Sequence, residues 1–182
     1  GGICDIMNKI IIKRGIIDMT KLVFLDLEGT VISLIEDQFY STTELYNTQL
    51  VRKWLKERGV TAVGIFSFAI DNDVERTTFM NSWLRKALEE GLGVTVGNVV
   101  TVEEVRNAIL RKHKVKLEYL WEVKQLWGKE RGFVDYCKVN FKNCECVLLD
   151  DLVDDVTMLI KDKNLSIETV NVDNLKIQSR LK

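Results

Sequence analysis

Apolar residues along this chain fall into two rhythms. Unbroken apolar runs occur at Leu22–Leu25, Ala62–Phe66 and Cys146–Leu149. A run without polar alternation is what a strand buried on both faces of a parallel sheet requires. Longer stretches repeat at helical spacing. Glu44 to Arg58 carries Leu45, Leu50, Trp54 and Leu55 on one stripe, with Gly59 as a C-cap. Asp71 to Glu90 predicts a long helix, with Asp71 or Asp73 as N-cap and Gly91 and Gly93 at its end. Glu103 to Trp127 predicts two helices parted near Lys112-His113-Lys114, with Val105, Ile109, Leu117, Leu120 and Leu126 as core positions. Glu130 to Phe141 predicts another, through Phe133, Val134 and Cys137.

The segments between them are shorter. Residues 31–43 predict a loop or flap, and Val94 to Val102 an extended piece with Gly97-Asn98 as its turn. After the third apolar run a helix is expected to about Lys161. A last, weakly apolar strand follows at Ser166 to Val172, near a sheet edge. Strands alternating with helices predict an α/β fold, a three-layer arrangement with helices on both faces of a parallel sheet and right-handed crossovers.

Residues 1 to 18 are set apart. Lys9 to Lys13 has the character of a short strand and Ile16-Ile17 continues it, but the chain opens Gly-Gly without Met. This segment reads as an N-terminal extension or tag remnant ahead of a single domain, 19–182, and carries no functional assignment.

The whole-chain numbers narrow the class. A length of 182 residues suits one domain with a core of its own. With 46% hydrophobic and 29% charged residues and a net charge of -1, no global field draws it to nucleic acid or to a membrane surface. No apolar run approaches a membrane span. Cys4, Cys137, Cys144 and Cys146 form no C-x-x-C pair and His113 is the only histidine, which disfavours a thiolate zinc site. Free thiols and no secretory signal point to a reducing cytoplasm. His113 is expected at the surface.

The candidate chemistry lies where the apolar runs stop. The first ends in Asp26-Leu27-Glu28-Gly29-Thr30, the second in Ser67 and the third in Asp150-Asp151, with Asp154-Asp155 close behind. Ligands of open α/β sheets bind outside the carboxyl ends of the strands, so these groups converge on one crevice. Asp26 and Glu28, two apart, lean to one side of an extended chain. Gly29 lets the backbone turn sharply, and Thr30 adds a hydroxyl.

These residues resemble the motifs of the haloacid-dehalogenase (HAD) phosphohydrolase superfamily, over about residues 21 to 173. Its first motif is a hydrophobic strand followed by Asp-x-Asp-x-Thr, matched at Asp26, Glu28 and Thr30. The second is a strand ending in Ser or Thr, matched by Ser67. The fourth is an acidic pair with a further Asp, matched by Asp150, Asp151 and Asp155. The third, a Lys opening the helix before the acidic strand, matches Lys129, with Lys124 and Lys138 as alternatives.

The resemblance implies a Rossmann-like fold and phosphomonoester hydrolysis. Asp26 would be the nucleophile that forms an aspartyl-phosphate, and Glu28 the acid and base. Ser67, Thr30 and Lys129 would bind phosphate. It also implies a Mg²⁺ cofactor held by Asp26, Asp151 and the backbone carbonyl of Glu28, with Asp150 or Asp155 as further ligands.

Glu28 departs from the family's usual Asp. Members such as the enolase-phosphatases of methionine salvage also have Asp-x-Glu-Gly-Thr, but they carry a large cap domain. Here 41 residues separate Asp26 from Ser67 and 62 separate Ser67 from Lys129, too few for one. A capless or small-capped site is expected, with residues 94–127 as the candidate cover. Such a site suits a bulky substrate, and nucleic acid is a candidate partner.

Two other functions fit parts of the pattern. Val23 to Thr30 also resembles the first motif of DEDD-type exonucleases, with Asp71 or Asp73 and Asp155 completing an acidic set for two Mg²⁺ ions. Basic clusters at Arg111 to Lys114 and Lys124 to Arg131, interleaved with Trp121 and Trp127, would suit a non-catalytic module that contacts phosphates and stacks bases.

Overall fold

The computed structural model describes residues 8–12 and 17–181. Cys4, Lys13 and Ile16 of the N-terminal segment lie outside the described residues. The elements in chain order are β1 (Asn8–Ile12), β2 (Ile17–Leu25), α1 (Thr48–Glu57), β3 (Ala62–Phe66), α2 (Asp73–Met80), α3 (Trp83–Leu92), β4 (Thr95–Val100) and α4 (Val102–His113). A π-helical turn (Glu122–Trp127) follows, then α5 (Lys129–Asn140), β5 (Cys144–Asp150), β6 (Val156–Ile160), β7 (Leu165–Asn171) and α6 (Val172–Leu181).

One sheet holds all seven strands, in the order β4-β3-β2-β5-β7-β6, with β1 paired to β2. The pairs β2–β3, β2–β5, β3–β4 and β5–β7 are parallel, and β1–β2 and β6–β7 are antiparallel. The chain builds outward from β2 through β3 to β4, then returns to lay β5 on the other side of β2. That reversal is the topological switch point where α/β sheets bind ligands. The fold is α/β and mostly parallel, compatible with a Rossmann-like arrangement.

Side-chain alternation divides the core into two layers. Val23 and Leu25 of β2, Val63 and Ile65 of β3 and Val147 and Leu149 of β5 face α1 and α3, which contribute Val51, Trp54, Leu55, Leu84, Leu88 and Leu92. Leu22, Phe24, Phe66, Cys146 and Leu148 face the other way, onto Val105 and Ile109 of α4 and Phe133, Tyr136 and Cys137 of α5. Strands buried on both faces need continuous apolar runs, and the three runs in the sequence are these strands. Cys137 and Cys146 are free, buried thiols, and Cys144 is buried with its Sγ donating to Lys142 O.

Several expectations need correction. The predicted helix after β5 is strand β6, which pairs antiparallel with β7 from Val156↔Thr169 to Ile160↔Leu165. It covers an edge that β7 would otherwise leave open, so β7 lies near the edge as expected, one strand in. The long helix over Asp71–Glu90 is two helices. Ser82 breaks it, its Oγ accepting from the Arg85 amide as a fresh N-cap. The N-cap of α2 is Asn72, accepting from Glu75 N, and not Asp71 or Asp73. The helix predicted from Glu44 begins at Thr48, after Asn47 in the left-handed region. Gly97-Asn98 makes no turn. The β3–β4 register jumps from Val63↔Val96 to Gly64↔Asn98, so Gly97 is the extra residue of a bulge inside β4. Of residues 94–127, the candidate small cover, β4 and α4 belong to the sheet and its flank, and Lys124 and Trp127 of the π-helical turn border the cleft at the strand ends. Helix α6 was not expected. The Asn171 Oδ1 caps it, accepting from Asp173 N and Asn174 N, and Val172 and Leu175 pack on the core.

Gly64 marks the tightest point of the central sheet. A Cβ there would lie 2.7 Å from the Phe24 ring and 3.1 Å from the Asn98 carbonyl oxygen. Phe24 cannot easily retreat, because its ring packs against those of Phe133, Phe141 and Tyr136. Gly64→Ala is predicted to destabilise by about 1–3 kcal/mol, the usual cost of overpacking. Phe24→Leu in the same chain should recover part of that loss. Urea unfolding of the single and double variants measures it, and additive losses would exclude the steric cause.

Candidate functional site: an acidic cluster at the switch point

The ends of β2 and β5 are locked level, with Leu25↔Leu149 in register and Asp26 N donating to Leu149 O at 2.9 Å. Asp26 and Asp150 therefore emerge side by side. A turn follows β2 in which Gly29, at φ 80°, donates its N–H to Ile32 O, and Thr30 N donates to Leu27 O. The turn returns the Thr30 hydroxyl to Asp26 Oδ2 at 3.1 Å. Asn47 fixes it from behind, Nδ2 donating to Thr30 O at 3.0 Å.

Lys129 opens α5. Gly128 precedes it at φ 98°, a backbone region that suits glycine, and adds no side-chain cap to the helix. The Lys129 Nζ donates to Asp26 Oδ1 at 2.6 Å and makes an ion contact with Asp150 Oδ2 at 2.9 Å, without hydrogen-bond alignment to the latter. Of the three candidate lysines only this one reaches Asp26. Lys124 pairs with Asp71 at 2.6 Å, and Lys138 lies in the last turn of α5.

Asp26, Asp150 and Asp151 bring carboxylate oxygens within 4.8 Å of one another. Asp150 is fully buried, its Oδ1 accepting from Leu152 N at 2.8 Å. Asp151 Oδ1 is buried with no hydrogen-bond partner. A Cβ on Gly29 would lie 2.3 Å from Asp151 Oδ2, so the glycine admits this carboxylate. Three hard oxygen donors, with Asp150 Oδ2 and Asp151 Oδ1 both lacking a hydrogen-bond partner, could hold a divalent cation.

A single ammonium cannot neutralise three acids. Burial raises Asp26 to about 7, with the pull of Lys129 working against that and the charge of Asp150 adding to it. Burial and Asp150 also raise Asp151. Burial alone would lower Lys129, but Asp26 and Asp150 outweigh it and its pKa is raised. The ammonium thus stays charged, and the excess is negative.

Ser67 ends β3. Its Oγ is buried and accepts from Ala69 N at 3.1 Å. Glu28 is half-buried, its Oε2 accepting from Ile35 N at 2.9 Å. Asp26, Glu28, Ser67 and Lys129 line one cleft of about 540 Å³, together with Phe68, Lys124, Trp127, Arg131 and Leu152. That size suits a small-molecule site.

Asp155 does not join the cluster. Its oxygens accept from Asn171 N at 2.7 Å and Asn174 Nδ2 at 2.8 Å, tying the loop after β5 to the start of α6. Asp71 is paired with Lys124 and Asp73 with Arg76, so the acids proposed for a two-metal exonuclease set are not brought to Asp26. His113 is exposed, as expected, but it is held in place. Its Nε2 lies 2.8 Å from Oδ1 of buried Asp135, whose Oδ2 accepts from Trp127 Nε1 at 2.8 Å. Trp121 is half exposed and does not line the cleft. Asn171 escaped the sequence reading. Its Nδ2 donates to the carbonyls of Asp151 and Val153, holding the acidic loop. An Asn between a strand and an apolar i, i+3 pair was the available signal.

Compared with known proteins, the chain matches no family model, no curated protein and no solved structure. No helix of the described residues is long and apolar enough to cross a membrane.

Because Asp26 is raised in the fold, the native state binds more protons than the unfolded chain between pH 4 and 7. Stability from this group is present at low pH and lost as pH rises through about 7. In a chelator, the urea midpoint is predicted to fall across that window. The fall should be shallower in Asp26→Asn, in which Lys129 keeps Asp150. A wild-type midpoint that rises there, unaltered by the substitution, would contradict the charge balance.

Proposed function

We propose that the chain is a HAD-like phosphomonoester hydrolase with Asp26 as its nucleophile. The observation that supports this best is the contact of Lys129 with Asp26 at 2.6 Å, across 103 residues of sequence, at the switch point of the sheet. Ser67 and the acidic trio line or border the same cleft.

A phosphate ester resists attack because its anionic oxygens repel nucleophiles, so catalysis is positioning plus charge stabilisation. Lys129 holds Asp26 by Oδ1 and Thr30 holds it by Oδ2, which fixes the carboxylate in rotation. An Asp26 oxygen attacks phosphorus, a P–O bond to the enzyme forms, and the bond to the substrate alcohol breaks. The Glu28 carboxyl gives its proton to the departing oxygen. Glu28 then takes a proton from water as that water attacks the phosphoryl group, which leaves as inorganic phosphate and frees Asp26.

Ser67 donates its hydroxyl to a phosphate oxygen, since its lone pair is already engaged by Ala69 N. The Lys129 ammonium and the uncapped first-turn amides of α5 offset charge on the transferring group. The carboxylates of Asp26, Asp150 and Asp151 fit Mg²⁺, and Asp155 is left out of that set. Mg²⁺ would supply the positive charge that lets these acids stand ionised together beside a phosphate.

The test is phosphate release from an aryl phosphate in millimolar Mg²⁺. Asp26→Asn is expected to lower kcat by at least about a thousandfold, as loss of a nucleophile does. Lys129→Ala should cost about 10²–10³-fold, as loss of a charge-stabilising group does. Phosphate release that survives Asp26→Asn would remove the aspartyl-phosphate reading.

A further inference from the structure

The cleft holds one cation that the chemistry above does not use. Lys129 is committed to Asp26 and Asp150, and Lys124 is paired with Asp71 at 2.6 Å. Arg131 also lines the cleft, is exposed, and has no carboxylate within ion-pair distance among the described residues. Its guanidinium lies over the Trp127 ring, 4.0 Å from the centroid.

That platform is fixed. The Trp127 Nε1 donates to Asp135 Oδ2 at 2.8 Å, Asp135 is 5% exposed, and the His113 ring lies 5.1 Å from Trp127. With Arg131 over it, that face of Trp127 is not open to a base. Its role is to hold the guanidinium flat. A stacked guanidinium keeps its N–H fork in one plane, the arrangement that binds a phosphate through two parallel hydrogen bonds. Arg131 sits two residues beyond Lys129 on the first turn of α5, about 200° around the helix, so it lines the same cleft from a different side and does not share Lys129's contacts.

We infer that Arg131 binds a second phosphate group of the substrate. The substrate class is then a phosphomonoester that carries a further phosphate on the same molecule. A nucleoside bisphosphate and the phosphorylated end of an oligonucleotide both have this chemistry. Asp135 acts as a positioning residue, holding Trp127 beneath Arg131. This inference rests on the hydrolase reading of the same cleft.

The test compares kcat/KM for phenyl phosphate, adenosine 5′-monophosphate, adenosine 3′,5′-bisphosphate and a 5′-phosphorylated dinucleotide. The substrates with a second phosphate should be preferred about tenfold or more over the monophosphate, and Arg131→Gln should erase that preference. The conservative Arg131→Lys should restore little of it, since an ammonium cannot reproduce the fork. Asp135→Asn keeps a side chain that fits the same space and should weaken the preference, with KM moving more than kcat.

A preference for the bisphosphate but not the dinucleotide names a small molecule as the source, and the converse names a strand end. Phosphate release with no preference, or a preference that survives Arg131→Gln, overturns the inference alone. Absence of any Asp26-dependent release overturns the hydrolase reading and the inference with it.

Discussion

The structure depends on one ammonium group set among carboxylates. Lys129 reaches Asp26 and Asp150 at the ends of adjacent central strands, with Asp151 beside them. Burying these groups is expensive, and removing one partner from such a set leaves a buried charge uncompensated. The arrangement persists because every element around it fixes it. The register of β2 against β5 sets the two aspartates level, and Gly128 sets the start of α5 so that Lys129 enters from the side. Gly29 leaves room for Asp151, and Asn171 holds the carbonyls of the acidic loop. Some of them, such as the β2–β5 register and the Asn171 cap, also serve the core. All of them serve the geometry of a charged crevice.

The sheet explains why the crevice is there. In a parallel sheet that grows outward from one strand and then reverses, two loops part at the switch point and leave a gap above the strand ends. Here the gap opens between β2 and β5. The antiparallel additions lie elsewhere. β1 pairs with the N-terminal half of β2, and β6 caps the far edge beyond β7. They extend the sheet without entering the crevice.

The legible parts of the sequence were those whose local pattern has one structural meaning. Leu22–Leu25, Ala62–Phe66 and Cys146–Leu149 are apolar on both alternating faces, and only a doubly covered strand needs that. Their polar ends marked Asp26, Ser67, Asp150 and Asp151 in advance. Val156–Ile160 was misread because five apolar and hydroxyl residues behind two aspartates suit a capped helix as well as a strand. The open edge of β7 decides between them, and that edge is tertiary. Asp155 was misplaced for the same reason, since acid spacing does not show which way a hairpin turns. The choice among Lys124, Lys129 and Lys138 needed the entry angle of α5. Gly128 carried that information, as a residue that tolerates a positive φ ahead of a helix. Ser82 inside Asp71–Glu90 carried the signal of a second N-cap, hidden by apolar residues that keep helical spacing across the break.

Glu28 gains meaning from its surroundings. Its Oε2 accepts the Ile35 amide at 2.9 Å, seven residues along, while Ile32 bridges both Glu28 and Leu45. The side chain therefore organises the loop that walls the cleft. An aspartate there would fall short by one methylene, about 1.5 Å, and could not make that bond without moving the loop. Under the proposed hydrolase reading the same carboxylate faces two demands, to hold a backbone amide and to exchange a proton with substrate. Bound through Oε2 alone, the group keeps Oε1 for chemistry, unlike Asp26, which Lys129 and Thr30 hold by both oxygens. The longer side chain thus fits a site closed on that side by its own loop, where a separate cap domain is absent among the described residues.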